Sequence, residues 1–351
     1  MAGAPEGGAE LFFERLTMAL HRAGDGVLPV VRHDAGRVAR LQAAGLAPTE
    51  LGFGGALDVL TRSRLRGVLR RFAPRVVVAW MGRAARFAPR GEWVLVGRLG
   101  GYYDLSRFRR CDHLVANTRG LAAWIVAQGW PGARVHHLPN FAPDLAGAVA
   151  WSRSLAGAGG MNKLAAGPGR LAVPDGVPVV LALGRLHRNK GFDVLVRAMR
   201  ELPGVHVVIA GEGPERGALE RLAREEGVAR RVHLPGWMQD GAGLLAACDV
   251  LVCPSRQEPL GNVVLEAFSA ARPVVAAAAA GPAELIEDRR TGMLVAVEDK
   301  GALAEAIGAV LGDRVLAAGL AAAGRTEFER VHAEAPVLAQ WRAFLGSVER
   351  R

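Results

Sequence analysis

Along this chain, short apolar runs rich in β-branched residues alternate with stretches whose apolar positions recur at helical spacing. In the first half the runs lie at 27–33, 76–81, 93–98, 113–117 and 134–138; in the second half they lie at 179–184, 205–211, 231–235, 249–254 and 273–277. Between them, 9–23, 57–72, 193–202 and 215–226 read as amphipathic helices. Regular alternation of strands and helices predicts βα units and parallel sheets, an α/β fold. From 145 to 176 the pattern dissolves into Ala, Gly, Ser and Pro, which predicts a linker. The expected organisation is therefore a first domain over 1–144, the linker, a second domain over 177–324, and a C-terminal helix over 325–351 packing back toward the first domain. Ligands of such domains bind outside the carboxyl ends of the strands, so the site is expected in a cleft between the two.

The opening residues depart from this pattern. A doubly wound domain begins with a strand, whereas here Gly7 and Gly8 lead straight into a helix carrying Phe12, Leu16, Ala19 and Leu20. The first strand is expected upstream of Met1, and an in-frame stop codon just before Met1 would refute that reading.

The chain has 351 residues, 50% of them hydrophobic, enough for two cores and too many apolar positions for overall disorder. No uncharged apolar run approaches the roughly 18 residues that a membrane-spanning helix needs, and no secretory signal pattern opens the chain, so a soluble or surface-attached protein is expected. Cys111, Cys248 and Cys253 form no metal-binding spacing and no even-numbered framework, and buried free thiols are expected. No Asp-x-Asp occurs, so no metal site is expected. Charge is unevenly placed: residues 1–144 carry 20 Arg against 11 Asp and Glu, while the remainder carries 24 basic against 23 acidic groups. A basic first half suits an anionic membrane surface or a phosphorylated substrate, and equally a solvated Arg-rich surface. Nucleic acid is not indicated, because no zinc-finger spacing or aromatic RNP-type strand is present.

Candidate chemistry concentrates in the second half. The run at 179–183 ends in a turn holding Gly184, Arg185, Lys190 and Gly191, where glycines admit a ligand to the backbone and two cations suit a diphosphate. Gly211-Glu212-Gly213-Pro214 follows the next run and, lacking a third glycine at Arg216, reads as a tight strand-to-helix turn. The run at 249–254 leads into a segment with Glu258 in its loop and Glu266 within a helix starting near Gly261. Amides around Gly261, Asn262 and Val263 would face an anion, whereas the two carboxylates would accept hydrogen bonds from hydroxyls. A polyhydroxylated ligand bearing phosphate, a sugar nucleotide, satisfies both.

With Gly184-Arg185-Leu186, Gly211-Glu212-Gly213-Pro214, Pro235-Gly236-Trp237 and the Glu258 and Glu266 pair, the second domain resembles the retaining GT-B glycosyltransferases of the family-4 (group 1) type. The first domain is similar more faintly, through Gly7-Gly8-Ala9-Glu10 and Leu138-Pro139-Asn140-Phe141. The resemblance implies two Rossmann-like domains facing across a cleft and a retaining, metal-independent hexosyltransferase with no cofactor beyond its nucleotide-sugar donor. It further implies that Arg185 and Lys190 hold the donor diphosphate, that Glu258 contacts the transferred sugar as the catalytic-site carboxylate, and that Glu266 binds ribose hydroxyls. Gly261, Asn262 and Val263 would receive phosphate or sugar oxygens, Gly236 and Trp237 would lie near the base, and Gly7 and Gly8 would approach the donor from the first domain. Cations and helix-end amides would stabilise the departing nucleoside diphosphate.

The chain departs from that family at one place: the His that follows the strand near 76–78 in many relatives is missing. Either Trp80 and Met81 shape that wall, or the acceptor pocket is organised differently. Tyr102, Tyr103 and Asp104 are acceptor-side candidates, by ring stacking and proton acceptance, or else are ordinary core residues and turn. His113, His136 and His137 lie on strand patterns and are expected to pack. The expected acceptor is a cell-envelope glycolipid or polysaccharide of lipopolysaccharide-core type, met in the cytoplasm or on the inner membrane face. Two alternatives stand beside it: a non-catalytic partner binding sugar nucleotide or membrane, and a sugar-nucleotide epimerase on a related fold.

Overall fold

The valine-rich runs are parallel strands and the amphipathic stretches are the helices between them, in a computed structural model that describes residues 1–3, 7–54, 58–148, 161–164, 171–174, 176–238 and 240–348. The chain divides into two units, Met1–Phe141 with Glu334–Arg351, and Ala142–Ala333.

In the first unit, β1 (Val30–Arg32) pairs in parallel with β2 (Thr49–Leu51), and β3 (Val76–Trp80), β4 (Val94–Leu99), β5 (His113–Ala116) and β6 (Val135–His137) form a four-stranded parallel sheet in that order. Every residue of β4 and β5 is buried. Burial on both faces is what a parallel sheet covered by helices demands, and it explains why these strands read as continuous apolar runs. The Met1 nitrogen donates to the Val30 carbonyl at 2.7 Å and the Arg32 amide donates to the Met1 carbonyl at 2.9 Å, the spacing of a parallel ladder. This lies on the β1 edge opposite the one where Pro29 accepts the Thr49 amide at 2.8 Å.

In the second unit, β7 (Met161–Leu164) pairs antiparallel with β8 (Leu171–Pro174). A six-stranded parallel sheet follows, from β9 (Val179–Leu183), β10 (His206–Ala210), β11 (Val232–Gly236), β12 (Val250–Cys253), β13 (Val274–Ala277) and β14 (Met293–Val295), in the order β11-β10-β9-β12-β13-β14. Of the segment expected as a linker, 149–160, 165–170 and 175 lie outside the described residues.

The helix expected over 325–351 is divided. Helix Arg314–Glu327 runs into a π-turn at Phe328–His332, Ala333 is extended, and helix Glu334–Ser347 begins anew. The two pieces serve different cores. Phe328 is buried with Phe268 and Val264 of the second unit, while Val337, Trp341 and Phe344 pack with Phe12, Phe13 and Trp80 of the first. Trp341 stacks on Trp80, with ring centroids 6.2 Å apart and planes inclined by 14°. No single helix among the described residues is long and apolar enough to cross a membrane.

Candidate active site

The strand order of the second unit reverses between β9 and β12. From β9 the chain steps outward to β10 and β11, and from β12 outward the other way to β13 and β14. The loops leaving these two strands therefore part at their carboxyl ends, the place where open parallel sheets bind ligands.

Those two loops are joined closely. The Asn189 carbonyl accepts the Arg256 and Gln257 amides at 2.8 and 3.2 Å, and the Asn189 side chain donates to Gln257 Oε1 at 3.2 Å. The backbone approach is tight enough that a Cβ at Gly191, whose φ is 64°, would fall 2.0 Å from the Pro254 carbonyl oxygen. Only glycine meets both conditions. Arg256 straps the junction from the side. It donates to both oxygens of Asp193 at 2.7 and 2.8 Å, to Glu298 at 2.5 Å and to the Arg188 carbonyl at 2.9 Å. Its partners lie 42 to 68 positions away in sequence, so no local pattern pointed to it.

The junction brings Lys190 and Glu258 together, Nζ to Oε2 at 2.5 Å, with the Ser255 hydroxyl 3.4 Å from the same oxygen. Burial pulls the Lys190 pKa down, but the Glu258 carboxylate more than reverses this, and the net shift is upward. Lys190 is thus a fixed ammonium at neutral pH. The neighbouring Cys253 thiol is pushed up by burial and by Glu258 and stays protonated. All three cysteines are buried and free.

Next to this pair, Gly261 caps the helix Asn262–Ser269 with φ of 94°, and Glu266 rides just over one turn in, half-buried. The first amides of such a helix have no acceptor within it and, with the macrodipole, favour an anion. The Gly281 amide holds the Glu258 carbonyl at 2.8 Å, which fixes the loop before the helix. On the other side, a Cβ at Gly211 would meet the Gly184 carbonyl at 1.9 Å, and the Gly211 amide donates to the Gly236 carbonyl at 2.8 Å. The ends of β9, β10 and β11 are drawn together in this way, with Arg185 exposed and Trp237 presenting 53% of its surface to solvent.

Gly7, Gly8, Tyr102, Tyr103 and Asp104 all belong to the first unit. Gly7 precedes the helix Gly8–Arg22, and Gly100 stands close to Ala9, so these loops meet at the carboxyl end of β4. Tyr102 is exposed and packs edge-on against Trp124, with centroids 5.2 Å apart. Tyr103 is half-buried, and burial raises its pKa against the pull of Arg98. Asp104 caps a short turn, accepting from the Ser106 amide and hydroxyl at 3.0 and 2.8 Å. Those bonds hold its carboxyl below the ordinary range, which weakens it as a proton acceptor. Trp80 is buried among aromatic rings. His113 and His136 pair at 3.0 Å across β5 and β6.

Arg98 at the end of β4 escaped the sequence pattern because it sits in an apolar run. It is fully buried, its guanidinium lying 4.9 Å from the Trp80 ring centroid and 5.3 Å from that of Phe12. It donates to Asn140 Oδ1 at 2.6 Å. Burial lowers its pKa to about 10, still well above neutrality. Among the described residues, no group of three or more His, Cys, Asp and Glu is arranged to hold a metal ion.

Residues 177–313 match the family model described as glycosyl transferases group 1. The chain is 34% identical over 322 residues to the lipopolysaccharide core biosynthesis glycosyltransferase LpsE of Rhizobium meliloti (strain 1021), covering 91% of this chain and 90% of that protein. It is 33% identical to LpsD of the same organism, also a lipopolysaccharide core biosynthesis glycosyltransferase, covering 92% and 91%. Among solved structures, Anabaena Alr3699/HepE in complex with UDP and glucose superposes with a TM-score of 0.77 at 20% identity, covering 99% of this chain and 98% of that one. The lipopolysaccharide outer core galactosyltransferase WaaB superposes with a TM-score of 0.73 at 16% identity, covering 99% and 98%. Full-length similarity of this kind, together with two Rossmann-like units and the joined loops of β9 and β12, places the chain in the group 1 glycosyl transferases, as a glycosyltransferase of GT-B fold.

Proposed function

We propose that the protein moves a hexose, with retention of anomeric configuration, from a nucleotide-sugar donor to a lipopolysaccharide-core acceptor on the inner face of the cytoplasmic membrane. The observation that carries the donor half is the Lys190–Glu258 pair at the reversal of strand order, beside the helix N-terminus at Gly261. A fixed cation and helix-end amides suit a diphosphate, and carboxylates suit hydroxyls. The acceptor half is supported by the two relatives of nearly full length that are named for lipopolysaccharide core biosynthesis. In this reading Arg185 and Lys190 hold the diphosphate and take up the negative charge that develops as the glycosidic bond breaks. Glu258 orients the transferred sugar, Glu266 takes the ribose hydroxyls, Gly261, Asn262 and Val263 receive oxygens of phosphate or sugar, and Gly236 and Trp237 border the base. Leaving-group departure and acceptor attack then occur on one face of the sugar.

A thermal-shift panel of UDP, GDP and ADP, each with and without its sugar, tests the donor site. One nucleotide is expected to stabilise the wild type, and Glu266→Ala to weaken its binding about tenfold to a hundredfold, the loss of one or two charge-assisted hydrogen bonds. Slow release of free sugar from the stabilising donor would accompany it. A folded chain stabilised by none of them, releasing no sugar, would overturn the transferase reading in favour of a non-catalytic partner. The anomeric configuration of the product, read by NMR, decides retention.

A further inference from the structure

The first unit contains a cavity of about 360 Å³ walled by Arg62, Arg86, Arg107, Arg109 and Arg110, with Asp104 and Ser106 completing the lining. That volume falls within the range of small-molecule sites. Its walls come from separate segments: Arg62 from the helix Val59–Phe72, Arg86 from the helix Met81–Phe87, and the rest from the turn Leu105–Phe108 and the residues beside it. Elsewhere in this unit, the buried Arg37 and the exposed Arg40 both reach Glu14, at 3.1 and 2.7 Å, and the buried Arg98 is held by Asn140 and two aromatic rings. The cavity is different. Five guanidinium groups face one carboxylate, and that carboxylate is engaged in capping its own turn, approaching Arg107 only to 3.7 Å.

Like charges gathered around one space repel unless an anion joins them. The Arg110 pKa is lowered by burial and then by Arg62, Arg109 and Arg90. The Nε of Arg62 is buried without a hydrogen-bond partner, although the Nη2 of the same group donates to the Arg86 carbonyl at 2.8 Å. A guanidinium fork fits planar or tetrahedral oxyanions, two donors at a time. A carboxylate offers two oxygens and one charge to five such groups. A phosphoryl group offers three terminal oxygens and up to two charges, and it matches the surplus better.

We propose that this cavity binds a phosphoryl group of the acceptor, anchoring it to the first unit during transfer. The assignment of that group to the acceptor rests on the transferase reading above; the anion site itself does not. The phosphate could be carried by a sugar of the acceptor or presented by lipid headgroups, and one experiment separates the two sources. Binding of inorganic phosphate to the full chain is measured by calorimetry at constant ionic strength, with acetate as the carboxylate comparison. Wild type, Lys190→Met, Arg109→Gln/Arg110→Gln and the exposed-site variant Arg107→Gln are compared, and vesicles of phosphatidylglycerol in phosphatidylcholine form the second arm.

Phosphate is expected to bind more tightly than acetate and to lose at least about tenfold in affinity in the double variant, each lost charge-assisted contact being worth a unit of this order. The loss should be smaller in Arg107→Gln, while the cavity contribution survives in Lys190→Met. A parallel loss of vesicle binding assigns the phosphate to lipid headgroups; unchanged vesicle binding assigns it to a sugar of the acceptor. Phosphate affinity that is unaltered in both arginine variants, or that disappears only in Lys190→Met, overturns the cavity assignment. Nucleotide stabilisation, measured alongside, is expected to be unaltered in the arginine variants. Its absence from the wild type would sink the transferase reading without touching the anion site.

Discussion

Lys190 and Glu258 are 2.5 Å apart, with side chains 26% and 12% exposed, so each is the other's main source of electrostatic compensation. Removing one leaves the other charge in a poorly solvated place, whereas removing both does not. Lys190→Met is therefore expected to cost about 2 kcal/mol of stability. The double variant Lys190→Met/Glu258→Gln should recover most of that loss by denaturant unfolding. Activity should behave otherwise if the proposed donor site is right, with kcat/KM falling about a hundredfold or more in the single variant and no recovery in the double, because the diphosphate would still lack one of its two proposed cations. Recovery of activity together with stability would show the pair to be structural. The sequence disclosed these two residues because each follows an apolar run within a glycine-bearing turn. It could not disclose Arg256, Asn189 or Arg98, whose importance lies in hydrogen bonds to groups far away along the chain: a backbone carbonyl and Asp193 for Arg256, two backbone amides for Asn189, and Asn140 for Arg98.

Strands were legible wherever a parallel sheet buries both faces, as at β4, β5, β12 and β13, since the physics writes an unbroken apolar run there. Of the four three-residue strands, β1 and β6 lie within longer runs that were read, whereas β2 and β14 were not read. The break at 328–333 has a local cause in Pro336, which lacks an amide hydrogen and fits only the first turn of the new helix Glu334–Ser347; apolar residues continue across the break, with Phe328 and Val337 packing in different cores. The turn after β9 offers a test of a different element-level claim, that its glycine is required by crowding and not only by backbone angle. Gly191 and Gly227 have nearly equal φ, 64° and 70°, but a Cβ at Gly227 meets nothing within 4 Å, whereas one at Gly191 would lie 2.0 Å from Pro254. Gly227→Ala should therefore cost only the left-handed backbone term, about 1 kcal/mol. Gly191→Ala should cost clearly more and should also weaken nucleotide binding by forcing the β9 and β12 loops apart. Equal losses of melting temperature in the two variants would show that the loops can part without penalty.

At the scale of the whole molecule, each unit carries a histidine pair across neighbouring parallel strands, His113 with His136 in the first and His206 with His233 in the second, at 3.0 and 2.9 Å. Burial, and then the His206 beside it, lowers the His233 pKa to about 4. Burial and Arg231 lower His206, and burial and His113 lower His136. Each of these groups is thus held neutral in the folded chain at a pH where the unfolded chain, with an ordinary imidazole pKa of about 6.5, already binds a proton. The unfolded state takes up more protons as pH falls, so the stability present above about pH 6.5 is lost progressively toward pH 4. Carboxylates act in the same direction but lower down: Asp144, held to about 2 by its bond to Arg325, loses its contribution from about pH 4, where an unfolded aspartate takes up its proton, down to about 2. The window from pH 6.5 to 5 therefore lies above the titration of Asp144 and holds the histidines together with the Met1 amine, whose pKa burial and then Arg37 lower to about 5, so that the His233 variant is what separates the two contributions. Melting temperature is expected to fall by several degrees across it, and His233→Gln, which keeps a hydrogen-bonding partner for His206 but cannot be protonated, should flatten the fall. A curve that stays level through that window in the wild type, or keeps its full slope in His233→Gln, would mean that the pair is protonated within the fold and that some other group sets the acid limit.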